Sequence, residues 1–80
     1  MKELLSYLLT NILSDTEKFR LEEEDVDGVL TYKIFVPQET MGKVIGKGGK
    51  TINAMKNILK IKAIKEQKRV EVEVLEEVTP

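Results

Sequence analysis

The run Val44-Ile45-Gly46-Lys47-Gly48-Gly49-Lys50-Thr51-Ile52 constrains this chain more than any other stretch. Three glycines and two lysines interrupt an otherwise helical apolar pattern there. Glycine permits a tight turn and lets another molecule approach the backbone closely. Lysines beside exposed backbone N–H groups suit an anion, above all a phosphate. Two familiar phosphate motifs do not fit. A P-loop reads G-x-x-x-x-G-K-[ST], and counted from Gly42 its second glycine falls on Lys47. A dinucleotide fingerprint reads G-x-G-x-x-G, and counted from Gly46 its third glycine falls on Thr51. Nor do 80 residues leave room for repeated βαβ units. What remains is G-x-x-G, Gly46 to Gly49, between two helical patterns.

Periodicity places this loop among other elements. Leu4, Leu5, Leu8, Leu9, Ile12 and Leu13 make one apolar stripe on a helix over residues 2–13. Residues 16–23 alternate, with Phe19 and Leu21 on one side and Lys18, Arg20 and Glu22 on the other, as in a half-wet strand. The acidic run at 22–27, closed by Asp27-Gly28, predicts a turn. Residues 29–36, rich in β-branched and aromatic side chains, predict a second strand ended by Pro37, and hence a hairpin. A short helix is expected over about 39–45 and a longer one over about 50–66, starting at the glycine loop. On that longer helix Ile52, Met55, Leu59 and Ala63 form the core face, opposite Lys50, Asn53, Lys56, Asn57 and Lys60. Residues 69–75 alternate Val70, Val72 and Val74 with glutamates, a third strand. Residues 76–80 are expected to fray.

Composition removes several classes of function. With no cysteine and no histidine, disulfides, thiolate sites and ordinary transition-metal centres are not expected. The commonest general base and the best nucleophile are missing too, so an enzyme is not expected. No apolar run nears the ~20 residues of a membrane span, and residues 1–13 lack the features of a signal peptide. A soluble, cytoplasmic domain is expected, with no membrane role and no cofactor. The net charge of −1 hides a strong separation. Residues 37–69 hold nine basic and two acidic groups, a net of +7, while residues 1–36 and 70–80 each carry −4. The positive charge surrounds the glycine loop, as a phosphate-binding face requires. A lysine run alone would read as a solvated helix face; its coincidence with the loop is what points to a ligand.

The stretch VIGKGGKTI resembles the signature of the K-homology (KH) domain, a module for single-stranded nucleic acid whose GxxG loop clamps the backbone of four nucleotides. Chain length and the leading leucine-rich helix resemble the small bacterial single-KH proteins of the KhpA type. The order αββααβ is that of the type II KH fold, an α+β class with a three-stranded sheet and helices packed on one face. One domain over residues 1–76 and a tail at 77–80 are expected.

The resemblance implies RNA contacts at Val44, Ile45, Gly46, Lys47, Gly48, Gly49, Lys50, Thr51 and Ile52. Lys47 would meet a phosphate while Gly48 keeps the backbone open. Lys50 and Thr51 would donate from the first turn of the next helix, where the dipole is positive. Val44, Ile45 and Ile52 would floor the groove, although each suits the core as well, Ile52 above all. Lys43 and Lys56 are flanking electrostatic candidates. Tyr7, Phe19, Tyr32 and Phe35 lie far from the loop in sequence and are assigned to packing, which leaves no stacking platform. The expected function is therefore single-stranded RNA binding, weak and with little sequence preference, in an RNA chaperone or post-transcriptional regulator. The alternative is an adaptor acting through a larger KH-containing protein of the KhpB type (also called Jag or EloR) in cell-envelope, cell-shape or division control. The same resemblance implies a homodimer, a heterodimer with that partner, or both. Ala54, Ile58 and Ile61 widen the apolar arc of the long helix to about 200°. Either the first helix covers them, or they stay exposed as a dimer interface.

Overall fold

In the computed structural model, residues 1–14 and 17–77 are described. The elements follow the order helix, strand, strand, helix, helix, strand: α1 (Lys2–Ile12), β1 (Arg20–Val26), β2 (Val29–Val36), α2 (Gln38–Ile45), α3 (Lys50–Lys65) and β3 (Arg69–Glu76). A single 3₁₀ turn, Lys47–Gly49, joins α2 to α3. The expected strand start at Thr16 lies outside the described residues.

The sheet runs β1-β2-β3, with β1 antiparallel and β3 parallel to the central β2. Among the described residues only β2 is flanked on both sides, and it carries the densest apolar sequence. Leu30, Tyr32, Ile34 and Val36 are buried beneath the helices, whereas their alternates are half-exposed. The register extends both faces across the sheet. Leu21-Ile34-Val74 and Glu23-Tyr32-Val72 lie on the helix side; Glu22-Lys33-Glu73 and Arg20-Phe35-Leu75 lie on the other. All three helices pack on one face. Leu5, Leu9 and Leu13 meet Val44, Ile52, Met55 and Leu59 over β2 and β3 in one core.

The acidic run is strand, not turn. β1 continues through Glu22, Glu23, Glu24 and Asp25, and the turn is only Asp27-Gly28. Both turn residues have positive φ (52° and 80°), the primed geometry that suits two-residue hairpins. Once that turn fixes the register, the carboxylates find partners: Arg20 pairs with Glu22, and Lys33 reaches Glu24 at 3.1 Å. Glu23 faces Tyr32. Burial, reinforced by that carboxylate, pushes the tyrosine hydroxyl up to about 12.

Other expectations also shift. The tail does not fray at residue 76, since Glu76 ends β3 and the Glu77 amide donates to the Val36 carbonyl at 2.8 Å. Residues 78–80 of the expected tail lie outside the described residues. Tyr7 packs against little, being 66% exposed on the outer side of α1. Phe35 sits on the outer sheet face beneath the Arg20 guanidinium, 4.1 Å from its ring centre.

Candidate nucleic-acid interface

The loop is built by a helix that cannot continue. α2 ends at Ile45, and Gly46 takes φ 77° and ψ 168°, a region essentially reserved for glycine. Its amide still donates to the Gly42 carbonyl at 2.8 Å. A Cβ there would lie 2.3 Å from Thr51 Oγ1 and 2.8 Å from the Thr51 backbone nitrogen. Gly46 is therefore required twice, by its dihedral angles and by the close approach of α3. Gly48 and Gly49 are both left-handed, with φ of 65° and 79°. Around Gly48 nothing lies within 4 Å of an added Cβ, so this position is open to a visitor.

The chain then enters α3 with no side-chain cap on its first turn. Uncapped N–H groups and the positive end of the helix dipole favour an anion at this spot. Lys47 and Lys50 are exposed beside it, and Thr51 is half-buried. The three apolar residues of the signature divide. Val44 has no exposed surface and Ile52 only 8%, so these two hold the loop from within the core rather than line an open groove. Ile45 is half-buried and keeps accessible surface. Lys43 is partly neutralised, 2.9 Å from the Glu17 carboxylate. An amide hydrogen bond from Ser14, with Lys43 beside it, holds that carboxylate down at about 2.

A groove of about 680 Å³ runs between α3 and the open edge of β3, lined by Asn53, Lys56, Asn57, Lys60, Val70, Glu71, Val72 and Glu73. It is continuous with the loop through Asn53, whose Nδ2 lies 3.5 Å from the position of a Gly49 Cβ. Periodicity alone places Asn53, Asn57 and Lys60 opposite the core and assigns them no function. Their signal was the i, i+3, i+4, i+7 spacing of a polar stripe, which becomes a groove wall only because β3 lies alongside. Gly49-Lys50-Thr51 also reproduces the closing triplet of a P-loop, but Val44 stands where its leading glycine belongs, and α2, not a strand, precedes it.

A residue pattern, a helix–loop–helix and a parallel strand beside the second helix thus converge on one fold family. Residues 2–74 match the family described as KhpA/KhpB, KH domain. The chain belongs to the KhpA/KhpB KH-domain family. Curated members of it include the RNA-binding protein KhpA of Chlamydia pneumoniae, 35% identical over 96% of this chain and 99% of its own length. KhpA of Clostridium acetobutylicum is 33% identical over 94% of this chain and 100% of its own. KhpA of Thermotoga maritima is 42% identical over 74% of this chain and 79% of its own.

The dimer candidates of the KhpA-like reading are settled as to exposure. α1 does not cover the second apolar face of α3: Ala54 is exposed, Ile58 is 42% exposed and Ile61 60%. Ile64, not among the expected interface residues, is 65% exposed on the same helix. Among the described residues no helix is long and apolar enough to cross a membrane.

Proposed function

We propose that this chain binds single-stranded RNA, the loop at residues 46–49 holding the phosphate backbone and the α3–β3 groove receiving the bases. The observation that carries this reading is the continuity of an open, lysine-bearing glycine loop with a groove whose helix wall is Asn53, Lys56, Asn57 and Lys60. The names of the relatives support the same ligand. Lys47, Lys50 and Thr51 donate to phosphates, Gly46, Gly48 and Gly49 keep the backbone accessible, and Ile45 offers an apolar contact. Val44 and Ile52 support the loop from beneath. One short groove without stacking aromatics gives modest affinity and broad sequence tolerance, as suits a cytoplasmic RNA chaperone or post-transcriptional regulator. The RNA-binding domain spans residues 1–76, with 77–80 as its short tail.

A second reading is favoured by the exposed Ile58, Ile61 and Ile64 beside Ala54. This face pairs the chain with a second copy or with a larger KH-containing partner of the KhpB type, and the adaptor role acts through it. Two weak grooves on one rigid body would then hold a long RNA far more tightly than one.

The test of RNA binding is the double variant Lys47→Asp, Gly48→Asp. Lys47 is exposed and nothing lies within 4 Å of a Cβ at Gly48, and Asp is among the residues that tolerate a left-handed φ. RNA affinity is expected to fall at least ~10-fold as attraction becomes repulsion, with circular dichroism unchanged. Unchanged affinity in a folded variant would remove the loop from the mechanism. Single strands should be bound in preference to a perfect duplex, whose base edges are hidden.

A further inference from the structure

The opposite side of the sheet holds a second open edge that RNA binding does not use. Among the described residues β1 has no strand on its outer side. Beside it lies a groove of about 420 Å³ between α1 and the helix-side face of β1, lined by Lys2, Glu3, Ser6, Phe19 and Leu21. Phe19 and Leu21 remain half-buried there, because α1 does not cover this margin of the core. An open edge beside an apolar groove is the geometry by which an extended peptide adds a strand: its backbone pairs with the edge and alternate side chains fill the groove.

Charge selects the occupant. β1 carries Glu22, Glu23, Glu24 and Asp25, and the hairpin adds Asp27. These groups are exposed or half-exposed, and their ion pairs are of the weak surface kind, Lys68 reaching Asp25 only at 3.9 Å. Acidic residues on an edge strand ordinarily block edge-to-edge association of identical copies, since like charges then face one another. The same charges attract a strand of opposite sign. The described residues do not supply one: lysines 43 to 65 lie on the helices and their connecting turn, and β3, which begins at Arg69, is itself acidic.

We propose that the β1 edge docks a lysine- or arginine-rich extended segment of another protein, which adds as a fourth strand and seats its apolar side chains on Phe19 and Leu21. β2 separates this edge from the RNA groove. Peptide and RNA are therefore held at once without competition, and the inference stands or falls independently of the RNA reading.

The probe is an end-blocked octapeptide alternating lysine and valine, titrated into the isotope-labelled full chain and followed by amide chemical shifts. Saturable shifts are expected over residues 19–26, with residues 46–50 unmoved. Affinity should weaken about 10-fold or more between low and moderate salt, and an acidic glutamate–valine peptide should not bind. A lysine peptide of equal charge with prolines at alternate valines should also bind at least ~10-fold more weakly, because it cannot donate to the edge. Glu23→Lys with Asp25→Lys should abolish binding of the lysine–valine peptide. Since Glu23 also faces Tyr32, Ser6→Trp, which fills the groove from α1, serves as a second block. Shifts centred on α3, equal binding of the proline peptide, or no saturation at millimolar peptide would each overturn the proposal.

Discussion

The two edges of this sheet start from the same raw material, an unpaired row of backbone amides and carbonyls, and end with opposite characters. The β3 edge lies beneath α3, whose Asn53, Lys56, Asn57 and Lys60 make a polar, positively charged wall. The β1 edge lies beside the side of α1 that carries Lys2, Glu3 and Ser6, over Phe19 and Leu21, and its own side chains are acidic. One edge therefore suits an anionic polymer and the other a cationic strand. The β3 edge takes its cationic side from the helix packed beside it, since Glu71 and Glu73 on its own strand are acidic. The β1 edge takes its charge from its own strand, and neither takes it from the pairing left open.

The strongest way to break this contrast is to damage the loop that opens the β3 side. Gly46→Ala is expected to destabilise the fold by about 2 kcal/mol or more, through a glycine-only backbone conformation and a clash with Thr51. RNA binding should be lost with it. Gly48→Ala, in open space, should cost about 1 kcal/mol in urea unfolding and leave most binding intact. Equal effects at the two glycines would mean that loop geometry matters less than its exposure.

Charge changes test the edges separately. Lys47→Gln with Lys50→Gln, the lysines that donate to phosphates, should lower RNA affinity about 10-fold and flatten the salt dependence by about 1.4 in log–log slope, as expected for two lost single-strand phosphate contacts. Glu24→Gln on the β1 edge should leave both quantities within about 2-fold, its carboxylate being exposed and held by a surface pair with Lys33. A large effect at Glu24 would show that RNA reaches across the sheet.

A smaller effect concerns acid. The Glu17 carboxylate is held near 2, first by the Ser14 amide and then by Lys43. Because its folded value lies below the ordinary 4.5, its contribution is complete above about pH 4.5 and is lost as pH falls toward 2. Glu17→Gln should make the fall of stability across that window less steep in pH-dependent urea melts, with no change in RNA affinity at neutral pH. The smallest change is expected at Gln67, which holds φ 58° after α3 while its amide donates to Ile64 and that of Lys68 to Ala63. Gln67→Gly should stabilise by about 0.5–1 kcal/mol, since glycine adopts that angle without strain.

Much of this arrangement was legible in the residues. The glycine loop, the helix on each side of it, the alternation in β3 and the core face Ile52-Met55-Leu59-Ala63 are local patterns, and local sterics with apolar periodicity fix them wherever the rest of the chain goes. The concentration of lysine around the loop is likewise a property of the sequence alone. Three features came only from packing. Residues 22–25 have poor intrinsic strand preference, and they form a strand because Asp27-Gly28 locks their register against β2, where Lys33 pairs with Glu24. Ile58 and Ile61 could have been core or surface until the position of α1 left them exposed. Asn53, Asn57 and Lys60 became a groove wall only when the parallel pairing of β2 and β3 set an open edge beside them. Periodicity tells which residues share a face of an element; what that face meets is decided by long-range contacts that no short window of sequence contains.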